Sequence, residues 1–183
     1  DIKMANLVAQ QIDIRTYTIE LEPVFKTFRE VLPKTGNKLA IANIKPRLRM
    51  ITLYFFASLN NYLVAGTGNK TEIQLGYFTK YGDGGVDILP LGDLVKSEVK
   101  QLANILGIPE LIIKRKPTAG LWPGQTDESE LGLSYEILDQ LVATTFDARK
   151  INIEKDKLEK VQKMIAKSQH KREPIPIFYK ANL

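Results

Sequence analysis

The chain has 183 residues, 44% of them hydrophobic and 26% charged, with a formal net charge of +5. That suffices for one domain with a buried core. Cysteine is absent, which excludes disulfides, thiolate metal sites and cysteine nucleophiles, and no apolar run nears the roughly 18 residues that a membrane-spanning helix needs. Residues 1–12 are amphipathic rather than a basic segment followed by an apolar one, so a cytoplasmic protein is expected.

In chain order, residues 1–12 predict a helix: Ile2, Ala5, Ala9 and Ile12 form one stripe, flanked by Met4 and Val8. Residues 14–21 alternate at Tyr17, Ile19 and Leu21 and predict a strand. Pro23 suits the first turn of a helix running to Leu32, and Pro33–Asn37 is a loop. Residues 38–61 carry a long helical pattern, with Pro46 near the start of the helix proper. Tyr62-Leu63-Val64-Ala65 predicts a buried strand, followed over residues 67–85 by a glycine-rich loop with a short helical piece around Glu72–Tyr77, and Val86–Leu89 predicts a second strand. Asp93 is a candidate N-cap for a helix to Leu106, with Gly107 as its stop. One or two helical turns at Pro109–Lys114, a loop at Lys116–Gln125, and helices at Asp127–Thr144 and about 154–167 follow, then an extended tail from Lys171. Strands alternating with helices predict an α/β fold with a parallel sheet. A doubly wound sheet usually has more strands than these, so further elements are expected upstream of Asp1.

Open α/β sheets hold ligands at the C-terminal ends of their strands. There this chain places Gly66-Thr67-Gly68-Asn69-Lys70-Thr71-Glu72 and then Lys80, Asp83 and Asp87 among glycines. Gly66-x-Gly68 is half a dinucleotide fingerprint, and no Walker A loop is present. Thr67 and Glu72 suit a polyphosphate with Mg²⁺, which takes a few carboxylates plus phosphate oxygens; equally, they read as a loop threonine and a surface glutamate. Lys96 lies near a helix start, where a cation opposes the dipole; it is either an anion ligand or a solvated lysine. Arg47 and Arg49 after Pro46 can fork onto phosphate or carboxylate, or simply face water. Thr118 sits in an irregular loop with Trp122. His170, the single histidine, cannot build a triad or a histidine-rich metal site. The basic excess lies late in the chain, where Glu154, Asp156 and Glu159 interleave with Lys155, Lys157, Lys160 and Lys163. That pattern is a solvated helix face, and no nucleic-acid or membrane partner is expected.

The joint order of these motifs is far more specific than any one of them. Asn43-Ile44-Lys45-Pro46-Arg47-Leu48-Arg49-Met50, Gly66–Glu72, Gly76–Gly85, Pro90–Lys96, Lys116–Trp122, Gln125–Gly132 and His170-Lys171-Arg172 together resemble the NAD synthetase family across nearly the whole chain. The resemblance implies a single partial domain over residues 1–183 with the adenine nucleotide alpha hydrolase-like (N-type ATP pyrophosphatase) fold. It implies ATP-dependent amidation of deamido-NAD⁺ by ammonia through an acyl adenylate, with release of AMP and pyrophosphate. It further implies that Thr67, Lys96 and Thr118 bind ATP as co-substrate and that Glu72 ligates Mg²⁺. Arg47, Lys80, Asp87, His170 and Lys171 would hold deamido-NAD⁺ in a homodimer. The family's Ser-Gly-Gly-x-Asp-Ser loop does not occur in the 183 residues. A protein made of these residues alone is therefore expected to lack synthetase activity. A non-catalytic nucleotide-binding or dimerisation fragment, or another adenylating amidotransferase of the same fold, is the alternative.

Overall fold

The computed structural model describes residues 2–122, 124–147, 151 and 153–180. Pro123, in the expected 116–125 loop, and Ala148, Arg149 and Lys150, in the basic segment, lie outside the described residues. Helix α1 spans Ile2–Gln11 and α2 spans Glu22–Val31, with proline in its first turn as the sequence predicts. The strand expected at 14–21 does not form, and Ile14, Tyr17 and Ile19 stay exposed. Alternation alone makes no strand without a neighbour to complete its backbone hydrogen bonds. Tyr17 instead stacks on Phe56, with ring centroids 5.5 Å apart.

The long pattern of residues 38–61 divides into α3 (Lys38–Ala42) and α4 (Ile44–Asn60). Pro46 falls in the first turn of α4, where its missing N–H is harmless. After α4 the chain turns through Asn61, in the left-handed region at φ 56°. Both strands expected next are reduced to a single parallel bridge between Ala65 and Ile88. Gly66 N–H donates to Ile88 O at 2.8 Å, and Asp87 N–H donates to Val64 O at 2.9 Å. The parallel direction agrees with the sequence expectation.

Helix α5 (Lys70–Leu75) follows, then α6 (Lys96–Ile105) and α7 (Glu110–Ile113). Gly107 stops α6 with φ +67°. The expected N-cap at Asp93 is incorrect: Val95 occupies that position, and Asp93 pairs with Lys70 at 2.9 Å. The helix expected over 127–144 is two helices, α8 (Asp127–Leu131) and α9 (Tyr135–Ala143). Gly132 separates them at φ +77°, ending α8 as a left-handed cap. Helix α10 (Lys155–Ser168) runs into a 3₁₀ turn, Gln169–Lys171, and then an irregular tail.

The core is built from Leu75, Leu131, Leu133, Leu138, Leu141 and Val161, with Tyr77, Phe146, Met164 and Ile165 packed around it. It therefore joins α5, α8, α9 and α10. Helices α1 and α2 contribute no buried residue. The well-packed part of the molecule is the part that carries Glu72, and α6 leans on it through α9.

Candidate functional site

Asn69 starts α5 as a reciprocal cap. Its Oδ1 accepts Glu72 N–H at 2.9 Å, and Glu72 Oε2 accepts Asn69 N–H at 3.1 Å. This capping box satisfies two otherwise orphaned amides and fixes the Glu72 backbone. The other carboxylate oxygen, Oε1, points across to α6 and accepts a 3.0 Å ion pair from Lys96 Nζ. The two side chains are 18% and 22% exposed, so the pair is partly shielded from water. Lys96 is the first residue of α6, where the helix dipole opposes a cation. Glu72 offsets that cost. The Lys96 ammonium also lies 5.2 Å from the centroid of the Tyr135 ring, within cation–π range.

Behind the pair is a network of carboxylates and phenols in which Asp127 and Tyr135 are buried and Tyr77 and Glu130 partly so. Tyr135 OH lies 2.9 Å from Asp127 Oδ2 and 3.4 Å from Glu72 Oε1. Tyr77 OH lies 3.2 Å from Asp127 Oδ1 and 2.5 Å from Glu130 Oε2. Burial raises the Asp127 carboxyl above its ordinary value, against the lowering effect of Tyr135, Lys96 and Tyr77. Burial, then the surrounding acids, raises both phenols far above the ordinary tyrosine value, so they remain neutral hydrogen-bond donors. Glu130 also accepts Gln125 Nε2–H at 2.9 Å, and Gln125 Oε1 accepts Leu121 N–H at 2.7 Å. Lys45 of α4 donates to Leu121 O at 3.2 Å. The network thus runs from Glu72 into the loop that holds Thr118.

A second group gathers at the glycine-rich loop. Arg47 donates to Lys80 O at 3.3 Å, and Lys80 Nζ donates to His170 O at 2.5 Å. Lys171 Nζ donates to Gly76 O at 2.8 Å and Phe78 O at 2.6 Å, and burial lowers its pKa below the ordinary lysine value. Arg47, Lys80, His170 and Lys171, far apart in sequence, therefore meet around residues 76–81. Asp87 Oδ2 accepts Val64 N–H at 2.7 Å, and its Oδ1 accepts Tyr54 OH at 3.0 Å, which fixes it beside the parallel bridge. Thr67 is exposed in the loop before α5. Thr118 is half-buried, and its Oγ1 accepts Gly120 N–H at 3.1 Å. Among the described residues, no hydrogen bond joins either threonine to the Glu72–Lys96 pair.

Sequence reasoning assigned no role to Tyr77, Asp127, Glu130 or Tyr135. Tyr77 and the run Gln125–Gly132 were visible as motif residues. Nothing local to Tyr135 announces that its hydroxyl reaches the acid at residue 72.

Residues 1–175 match the NAD synthase family. The chain belongs to that family. Its curated relatives include the NH₃-dependent NAD⁺ synthetase of Archaeoglobus fulgidus, 48% identical over 97% of this chain and 70% of that protein. Across curated NAD⁺ synthetases of this group the chain spans between 60% and 70% of their length. Among solved structures, the NMN synthetase of Francisella tularensis superposes with a TM-score of 0.88 at 35% identity, covering 100% of this chain and 73% of that one. The NH₃-dependent NAD synthetase of Campylobacter jejuni does so with a TM-score of 0.77 at 26% identity, covering 97% and 72%. The fold is therefore the α/β adenine nucleotide alpha hydrolase-like fold of the NAD synthases, as the motif order implied.

Proposed function

We propose that the protein carrying this chain amidates deamido-NAD⁺ to NAD⁺, consuming ATP and ammonia and releasing AMP and pyrophosphate. The observation that carries the reading is the partly buried Glu72–Lys96 pair in a member of the NAD synthase family. The names of the curated relatives support the same chemistry.

The first step joins two anions, the nicotinate carboxylate and the α-phosphate of ATP. Cations must offset their repulsion. Lys96 meets the polyphosphate by exchanging one oxyanion partner, Glu72, for another. Thr67 and Thr118 contact ATP. Arg47, Lys80, Asp87 and the segment of His170 and Lys171 bind deamido-NAD⁺. Displacement of AMP from the acyl adenylate by ammonia completes the amide.

Glu72 fits a role as an Mg²⁺ ligand. It is an ionisable carboxylate in a shielded place, and Mg²⁺ binds through one or two carboxylates together with substrate phosphates. Among the described residues no group of three or more His, Cys, Asp or Glu side chains is arranged to hold a metal ion. The ion would arrive with the polyphosphate and polarise its oxygens. No helix among the described residues is long and apolar enough to cross a membrane. A homodimer acting in the cytoplasm is part of the proposal.

The test is incubation of the whole protein that carries this chain, rather than the 183 residues alone, with MgATP, ammonium and deamido-NAD⁺, with NAD⁺, AMP and pyrophosphate quantified. Equimolar formation of all three is expected. Absence of NAD⁺ and AMP under those conditions refutes the reading. Nicotinate mononucleotide belongs in the same panel because of the match to an NMN synthetase. A higher kcat/KM for it reassigns the substrate and leaves the adenylation chemistry intact.

A further inference from the structure

Helix α6 starts without a cap of its own. Val95 stands at the N-cap position and offers no hydrogen-bond acceptor. Glu98 Oε2 accepts Val95 N–H at 2.8 Å, but the first helical amides need another partner. They find it in α9. Asp139 Oδ1 accepts Lys96 N–H at 3.2 Å, and Oδ2 accepts Ser97 N–H at 2.7 Å. The same Oδ1 accepts the Thr71 hydroxyl of α5 at 2.6 Å.

Asp139 is buried at 5% exposure and Thr71 at 0%. An acid at a helix start is favoured by the dipole, and charge-assisted hydrogen bonds are the stronger kind. Capping alone requires only the two α6 amides. The bond to Thr71 adds something different: it ties α6, at the residue that carries the ammonium, to α5, at the residue adjoining Glu72. Since Lys96 is the first residue of α6, any retreat of that helix start carries its ammonium away from Glu72.

We propose that Asp139 is a positioning residue, holding the starts of α5 and α6 together so that Lys96 and Glu72 keep the register in which they meet the polyphosphate. The proposal rests on assigning that pair to ATP, as above. Asp139 itself touches no substrate; it acts through the Lys96 backbone.

The experiment measures NAD⁺ formation by Asp139→Asn, with KM determined separately for ATP and deamido-NAD⁺. Asparagine has one carbonyl oxygen for three donors, and its amide opposes one of them. KM for ATP should rise about tenfold, the scale of one charge-assisted hydrogen bond, while KM for deamido-NAD⁺ stays within about twofold. Thr71→Val, which breaks only the link to α5, should reproduce the ATP-specific rise. Val95→Ser supplies a hydroxyl three residues before Glu98, completing a local capping box. Combined with Asp139→Asn, it should recover Tm and leave the ATP defect in place. In a Lys96→Met background, Asp139→Asn should add less than about twofold, because coupled residues are not additive. The proposal is overturned by an unchanged ATP KM in either single variant, by recovery of that KM with Val95→Ser, or by a full Asp139→Asn effect without Lys96. A wild type that forms no NAD⁺ fails the functional reading itself, and this inference falls with it.

Discussion

Glu72→Gln removes one charge and little volume. The carboxylate has three partners: Asn69 N–H at 3.1 Å on Oε2, and Lys96 Nζ at 3.0 Å with Tyr135 OH at 3.4 Å on Oε1. An amide keeps the Asn69 bond through its oxygen. Its NH₂ group then faces the Lys96 ammonium, donor against donor. With both side chains less than a quarter exposed, water screens that loss only in part. Hydrogen bonds to charged groups contribute about 1.5–3 kcal/mol, some of which returns when Lys96 swings into solvent. A net loss of about 1–2 kcal/mol lowers Tm by roughly 2–8 °C in a chain of this size. The chemical loss is larger, because removing one preorganised electrostatic stabiliser lowers turnover by about 10²–10³-fold. The assay is pyrophosphate release at saturating deamido-NAD⁺ across an Mg²⁺ titration, with Tm measured alongside. Turnover should fall at least about 10²-fold and should not recover at high Mg²⁺. Unchanged turnover across the titration, with Tm lowered as expected, refutes the assigned role and leaves Glu72 as a capping residue only.

Other perturbations read different parts of the molecule. Gly76 caps α5 at φ +65°, and a Cβ there would collide with the Ser168 side chain; Gly76→Ala should cost about 2–5 kcal/mol in urea unfolding, combining left-handed strain with overpacking. Leu138 is fully buried in the core cluster, so Leu138→Ala should cost about 2–5 kcal/mol by the same measurement. Burial raises the Asp127 carboxyl above 3.8. Between 3.8 and its folded value the native state binds the extra proton, so its contribution to stability is complete below 3.8 and is lost as pH rises through the folded pKa. Asp127→Asn, a permanently neutral substitute, should therefore gain stability relative to wild type as pH rises through that window; thermal unfolding across an acid-to-neutral pH series checks the sign.

Local chemistry located most of the elements. Pro46 marks the first turn of α4 and Gly107 stops α6. Where such local markers were misread, the expectation failed. Asp93 is a strong cap by type, yet its carboxylate goes to Lys70 and the α6 amides go to Asp139. Gly132 lay inside an apparently continuous helical pattern, and its left-handed backbone divides α8 from α9. Residues 14–21 have the alternation of a strand and no partner to pair with among the described residues.

The family order of the motifs, the absence of thiol chemistry and the candidate ligands of an anionic nucleotide are legible in the chain before it folds. Those properties reside in residue types and short spacings. Long-range packing selects which of them meet. It set Lys96 against Glu72 across 24 residues, tied α5 to α6 through Asp139 from a third helix, and placed Tyr135 and Asp127 behind the pair. Such contacts join groups tens of residues apart. Their strength comes from shielding and close approach, and the packing of the Leu75–Leu138–Val161 core supplies both.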